Sequence, residues 1–238
     1  MKTDYQVLSV DLHETQLDHT FVPALTRLPL MDQLYLHDRQ LGPELNQLNS
    51  NKNLVWLHIL EAGPQSQIGN VRGWNQLKLL GLSQCHAPVG ELELLRELPK
   101  LTHIWLHDSD HEIARQFAGW TQLKHIWIRH EGSLAPLIPA LQAIPNLDSI
   151  ELTGKISLDD WNELMGLSNL RWLRVSKLSR EVYLSGAWRA ICKWPNLTKC
   201  QLEYIGDVSN DEDRTINERH RIESQEHCPK VDWIINFQ

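Results

Sequence analysis

A six-residue pattern, apolar-x-x-apolar-x-apolar, recurs eight times: MDQLYL (31–36), LVWLHI (54–59), LKLLGL (77–82), LTHIWL (101–106), LKHIWI (123–128), LDSIEL (147–152), LRWLRV (170–175) and LTKCQL (197–202). Successive copies start 23, 23, 24, 22, 24, 23 and 27 residues apart. The fourth and sixth positions are aliphatic or Cys in all eight, which is the alternation of a short strand with one face buried. One strand and its return cannot bury that face alone, but stacked copies can. The register therefore predicts a parallel sheet whose inner side is covered by helical returns.

A second apolar anchor lies three residues before nearly every copy: Leu28, Trp74, Leu98, Trp120, Ile144, Leu167, Trp194 and Cys228, with Asn51 as the exception. Pro follows it at 29, 99, 145, 195 and 229, which sets a turn before each strand. End copies are expected at YQVLSV (5–10) and VDWIIN (231–236). Helical returns are expected over 90–100, 111–120, 157–169 and 185–194, and a longer helix over 215–227. Ser157 with Asp159 and Asp160 reads as a helix start.

These motifs resemble the leucine-rich-repeat family, and the resemblance runs over about 5–236. The 39 leucines in 238 residues fit it. It implies an α/β solenoid of about 8–10 repeats, with a curved parallel sheet on the concave face and helices on the convex one. One domain is expected: a cap and first irregular repeat in 1–30, eight clear repeats in 31–204, and an acidic insertion, helix and cap strand in 205–238. The family places Asn or Cys at the ninth position, where this chain has Arg39, Ala62, Cys85, Ser109, Glu131, Lys155, Leu178 and Ile205. Only Cys85 fits. The likeness is to irregular bacterial or intracellular members without the Asn ladder, which are similar in lacking disulfide caps.

The third and fifth positions must point to the open face. They read Gln33, Trp56, Leu79, His103, His125, Ser149, Trp172 and Lys199, then Tyr35, His58, Gly81, Trp105, Trp127, Glu151, Arg174 and Gln201. Five of sixteen are Trp or Tyr, although 14 in 238 would give about one. Strand propensity explains part of the aromatic excess but not the histidines. Neighbouring strands would set Trp105 beside Trp127 and His103 beside His125. A contiguous aromatic patch in water requires an occupant. The expected partner-binding residues are Tyr35, Trp56, His58, His103, Trp105, His125, Trp127, Arg129, Glu151, Trp172, Arg174 and Lys199. Trp74, Trp120, Trp194, Trp161 and Trp188 read as core; Trp233 would either extend the face or seal the end.

Chemistry is sparse. No phosphate-binding glycine loop, GxSxG or HExxH occurs, so no catalytic residues, metal ligands or cofactor are expected. The histidines and carboxylates of 103–130, including HDSDH (107–111) and His130, could hold a divalent ion, but no matched ligand set emerges. The net charge of −7 argues against nucleic acid, and no apolar run reaches the ~18–20 residues of a membrane span. Asp38, Glu61, Asp108 and Asp110 flank earlier repeats, and Arg129, Arg174, Lys177 and Lys199 later ones, a mixed field suited to a protein. Cys85, Cys192, Cys200 and Cys228 form no CxxC and read as reduced thiols in a cytoplasmic protein. The expected function is a non-catalytic protein-binding module, monomeric when free, of the kind an immunity or antitoxin protein would be. Glycan recognition on the Trp platform, or a regulatory or scaffold role, remain the alternatives. The His-rich face would make affinity change between about pH 7.5 and 5.5.

Overall fold

The protein is described here as a computed structural model, which describes residues 9–12, 21–37, 43–61, 63–64, 67–108, 111–129, 132–204 and 211–237. His130, Asp38, Asp110 and residues 206–210 of the acidic stretch lie outside them. The chain divides into two compact units, Met1–Leu123 and Lys124–Gln238.

The first unit holds β1 (Ser9–Asp11), β2 (Gln33–His37), β3 (Trp56–Leu60), β4 (Leu79–Ser83) and β5 (His103–His107). They pair in that order and all in parallel, with Leu34, Leu57, Leu80 and Ile104 in register. The second holds β6 (His125–Arg129), β7 (Ser149–Ile156), β8 (Trp172–Leu178), β9 (Lys199–Tyr204) and β10 (Asp232–Phe237), again parallel and sequential. Each unit is a stack of strand-plus-return repeats, the leucine-rich-repeat form of an α/β fold. The sixteen fourth- and sixth-position side chains are all at most 3% exposed, so the expected phase holds throughout.

The anchors work as turn formers as well as core residues. The carbonyl of Trp74 accepts the N–H of Leu77 at 2.9 Å, and Leu98, Trp120, Ile144 and Leu167 do the same for the first residue of the next motif. Asn51 substitutes hydrogen bonds for packing: its Nδ2 donates to the Leu28 carbonyl and its Oδ1 accepts from Asn53 and Leu54 N–H. β3, β4 and β5 stop at the eighth motif position, where Glu61, Gln84 and Asp108 take φ of 57°, 49° and 47°; Lys177, at the same position inside β8, takes 60°. None is glycine.

The returns are shorter than expected. Helix covers only Val89–Glu93, His111–Arg115 and Leu158–Leu164 of the three longer stretches, and 185–194 is a 3-10 turn at Ala187–Lys193. A 23-residue repeat that spends five residues on a strand and more on two turns has room for one or two helical turns. Ser157 caps Leu158–Leu164 through a full capping box with Asp160. Burial alone would push the Asp160 carboxyl up, but hydrogen bonds from Ser157, Leu134 N–H and Ser133 hold it below its usual range.

Three expectations are corrected. The first copy is VLSVDL (7–12), since Ser9 pairs with Gln33 and Asp11 with Tyr35. The last is shifted by one, to 230–235: Trp233 pairs with Cys200, a buried fourth position. Trp233 therefore turns inward, 5.9 Å from the Trp188 ring, with its indole N–H on the Cys228 carbonyl, and seals the end. The 34-residue link before it carries no repeat spacing, so nothing in the pattern fixed that register. Finally, Cys192 and Cys228 are not reduced thiols but a disulfide, with Cα atoms 5.2 Å apart, tying Ala187–Lys193 to the end of helix Asp211–His227. They are 36 residues apart in sequence, and only the fold brings them together. Cys85 and Cys200 are free and buried. The disulfide removes the reduced-thiol argument for a cytoplasmic location.

Candidate functional site

Odd motif positions emerge on the open face of both units, but the faces differ. In the first unit, Tyr35, Trp56, His58 and Trp105 are half-buried against one another. Tyr35 lies 5.7 Å from Trp56 and 5.4 Å from His58, ring centre to ring centre. Trp105 lies 4.8 Å from His58 and 6.5 Å from Trp56. These last contacts skip a strand, because β3 and β5 flank β4. Gly81 on β4 makes them possible: a Cβ there would stand 2.8 Å from His58 Cδ2 and 3.4 Å from Trp105 Cε3. The missing side chain is the gap the rings close over.

Beside this cluster lies a pocket of about 280 Å³, lined by Asp11, Tyr35, Leu36, His58, Leu60, Ser83, Trp105 and His107. His58 Nε2 is 2.8 Å from the buried Ser83 hydroxyl, which fixes the imidazole. The His107 ring lies parallel to Trp105, within 1°, at 6.4 Å. Carboxylates stand at the C-terminal ends of the strands: Asp11 on β1, Glu61 bonded to His37 at 2.7 Å, and Asp108 paired with His107 at 3.2 Å. Burial, then the Asp11 charge, push the Tyr35 phenol up. None of β1–β5 contains Lys or Arg.

In the second unit, Arg174 bridges two carboxylates, Glu151 at 2.9 Å and Glu203 at 3.0 Å. Glu203 is buried, and it also accepts from Gln201 Nε2 at 2.7 Å. Burial would raise its carboxyl, yet hydrogen bonds from Ser176, Arg174 and Gln201 bring it below the usual range. Glu151 goes the other way: burial lifts it, Arg174 pulls against this, and Glu203 adds to the lift. Burial lowers His125, whose Nδ1 stands 3.5 Å from Asp148 Oδ1. Trp127 is the most open of the tryptophans, 39% exposed, with its N–H 3.3 Å from Thr153 Oγ1. Trp172 is half-buried; its indole N–H is buried with no acceptor among the described residues.

Of the expected residues, the structure brings Tyr35, Trp56, His58 and Trp105 into one cluster, and Glu151 with Arg174 into another. His103 is held apart by Thr102 Oγ1 at 2.8 Å, and Arg129 and Lys199 enter no ion pair of the face among the described residues. Trp74, Trp120, Trp161, Trp188 and Trp194 are all buried, as expected. No group of three metal-ligating side chains occurs among the described residues, and no helix among them is long and apolar enough to cross a membrane.

No family model matches the chain, and no curated protein matches it. Among solved structures it is similar to an internalin (inlF) from Listeria monocytogenes str. 4b F2365, with 17% identity and a TM-score of 0.40, covering 89% of this chain and 69% of that one.

Of the seventh motif positions, only Arg129 was among the expected binding residues. The strands run one residue past the six-residue motif, and period-2 alternation puts His37, Leu60, Ser83, His107 and Glu203 on the open face. The signal was present: His37, His107 and Glu203 are polar residues directly after an apolar sixth position.

Proposed function

We propose that this chain is a non-catalytic protein-binding module that docks a partner protein on the open face of its strands. The observation that carries the reading is the row of half-buried rings at Tyr35, Trp56, His58 and Trp105, positions that an ordinary solvated strand fills with small polar groups. Trp and Tyr are the residue types that dominate binding hot spots, and each can bury ~150–250 Å². Trp127 adds an indole with open area to cover. An immunity or antitoxin protein, monomeric when free, would use such a face to cover a toxin's working surface. The charge of −7 favours a basic partner. Glycan recognition is less well supported, since Trp105 is already packed against Trp56 and His58.

The test is affinity capture from native cells, identification of the bound protein, and titration of that protein against variants. Trp105→Ala with Trp127→Ala is expected to weaken binding by about 2–4 kcal/mol per true hot spot. Leu184→Ser, at a 64% exposed leucine in the helix Arg180–Leu184, is expected to change nothing. Equal affinity for the double variant and the parent would refute the face as the binding surface.

A further inference from the structure

We propose that the pocket beside Gly81 receives an arginine side chain of the bound protein. This rests on the docking reading above and adds the chemistry of the contact. At about 280 Å³ the pocket falls below the ~300–1,000 Å³ of small-molecule sites, but it has room for one protruding side chain. Its walls are largely apolar or aromatic, so the occupant must tolerate loss of water. One carboxylate lines it, that of Asp11, while Asp108 and Glu61 nearby in sequence are paired with His107 and His37. The five strands that build this face contain no Lys or Arg. A positive group therefore gains from carboxylate and ring quadrupole together.

Among cations, guanidinium fits best. It is planar, is more weakly hydrated than an ammonium, and stacks on aromatic faces. Trp105 and His107 present parallel faces for it, and the Tyr35 ring lies on the same wall system, in register with Asp11. Fixing of His58 by Ser83 and the absent side chain at Gly81 keep the pocket preformed.

The probe is the capped tripeptide acetyl-Gly-Arg-Gly-amide, added to the full chain while the indole N–H resonance of Trp105 is followed by NMR. The control is the same peptide with citrulline, which keeps the shape and removes the charge. A saturable shift is expected for arginine, about tenfold weaker for citrulline. Asp11→Asn, an exposed surface change, is expected to weaken arginine binding several-fold, and Gly81→Val to abolish it with the circular dichroism spectrum retained. Equal binding of the citrulline peptide, no saturable shift with arginine, or full binding to Asp11→Asn would overturn the proposal. The docking reading is judged separately. Loss of partner affinity in Trp105→Ala with Trp127→Ala, without arginine-peptide binding, removes the arginine pocket alone; arginine-peptide binding with unchanged partner affinity removes the docking surface.

Discussion

The open faces of the two units solve one problem by different means. β1–β5 hold rings against rings and carry no Lys or Arg; β6–β9 carry Arg129, Lys155, Arg174, Lys177 and Lys199, and tie Arg174 between Glu151 and Glu203. In the second unit Arg174 is satisfied by its two carboxylates, while Arg129 and Lys199 stand outside that network. In the first, an aromatic hollow with the Asp11 carboxylate in its lining stays open to a visitor. The same repeat, with aliphatic residues at the same buried positions, thus yields a cation-bearing surface and an aromatic one, and the residues outside those core positions decide which.

The largest effect that would break this contrast is at Arg174. Arg174→Ala leaves the buried Glu203 carboxylate without its guanidinium. A cost of about 2–3 kcal/mol is expected, below the ~3–5 kcal/mol of fully buried pairs because the Arg174 side chain is a third exposed. Urea unfolding measures it, and a loss under about 0.5 kcal/mol would mean the network is ordinary surface polarity.

Acid should also fall on the second unit. His220 is fully buried, with ring centres of Trp188 at 4.3 Å and Tyr183 at 4.8 Å, and burial, helped by the Arg189 charge, lowers it to about 3. The unfolded chain takes that proton near pH 6.5 while the native state refuses it until about pH 3, so stability is full above 6.5 and falls across that window. At pH 5 the loss is about 2 kcal/mol. Hydrogen exchange at pH 7 and pH 5 should show it in β8–β10 and not in β2–β4, and His220→Phe should flatten the dependence. The carboxyls of Asp160 and Glu203, held below their usual range, add stability that is lost as pH falls below the ordinary carboxylate range.

A smaller effect sharpens the first unit's side of the comparison. Gly81→Ala places a methyl 2.8 Å from His58 Cδ2, so the imidazole must move off Trp105. About 1 kcal/mol and a red-shifted tryptophan emission are expected, with the strands intact. Unchanged emission would mean the rings do not depend on that gap.

Much of this was legible from the chain. Sixteen apolar positions in one phase fixed which side of every central strand is buried, and with it the exposure of Tyr35, Trp56, His58, Trp105 and Trp127. The ends were not legible, because β1 and β10 lack a neighbour at repeat spacing to fix their register; hence the shifts at Asp11 and Trp233. Gly81 stood in the list of outward positions, but its meaning comes from two side chains on other strands. The Cys192–Cys228 bond is likewise a contact between separate returns. Glu61 and Gln84 hide their left-handed backbone, because nothing local in those residue types asks for it, whereas Asp108 is a type that tolerates it.

Those turns say how such a chain grows. The N–H of Glu61 is held by the Ser83 carbonyl, and that of Gln84 by the His107 carbonyl, so each bend is clasped by the following copy and not by its own sequence. A whole unit of this length could be duplicated or removed by evolution with the clasp regenerated at the new junction, while a cut inside one unit would leave two bends with nothing to hold them.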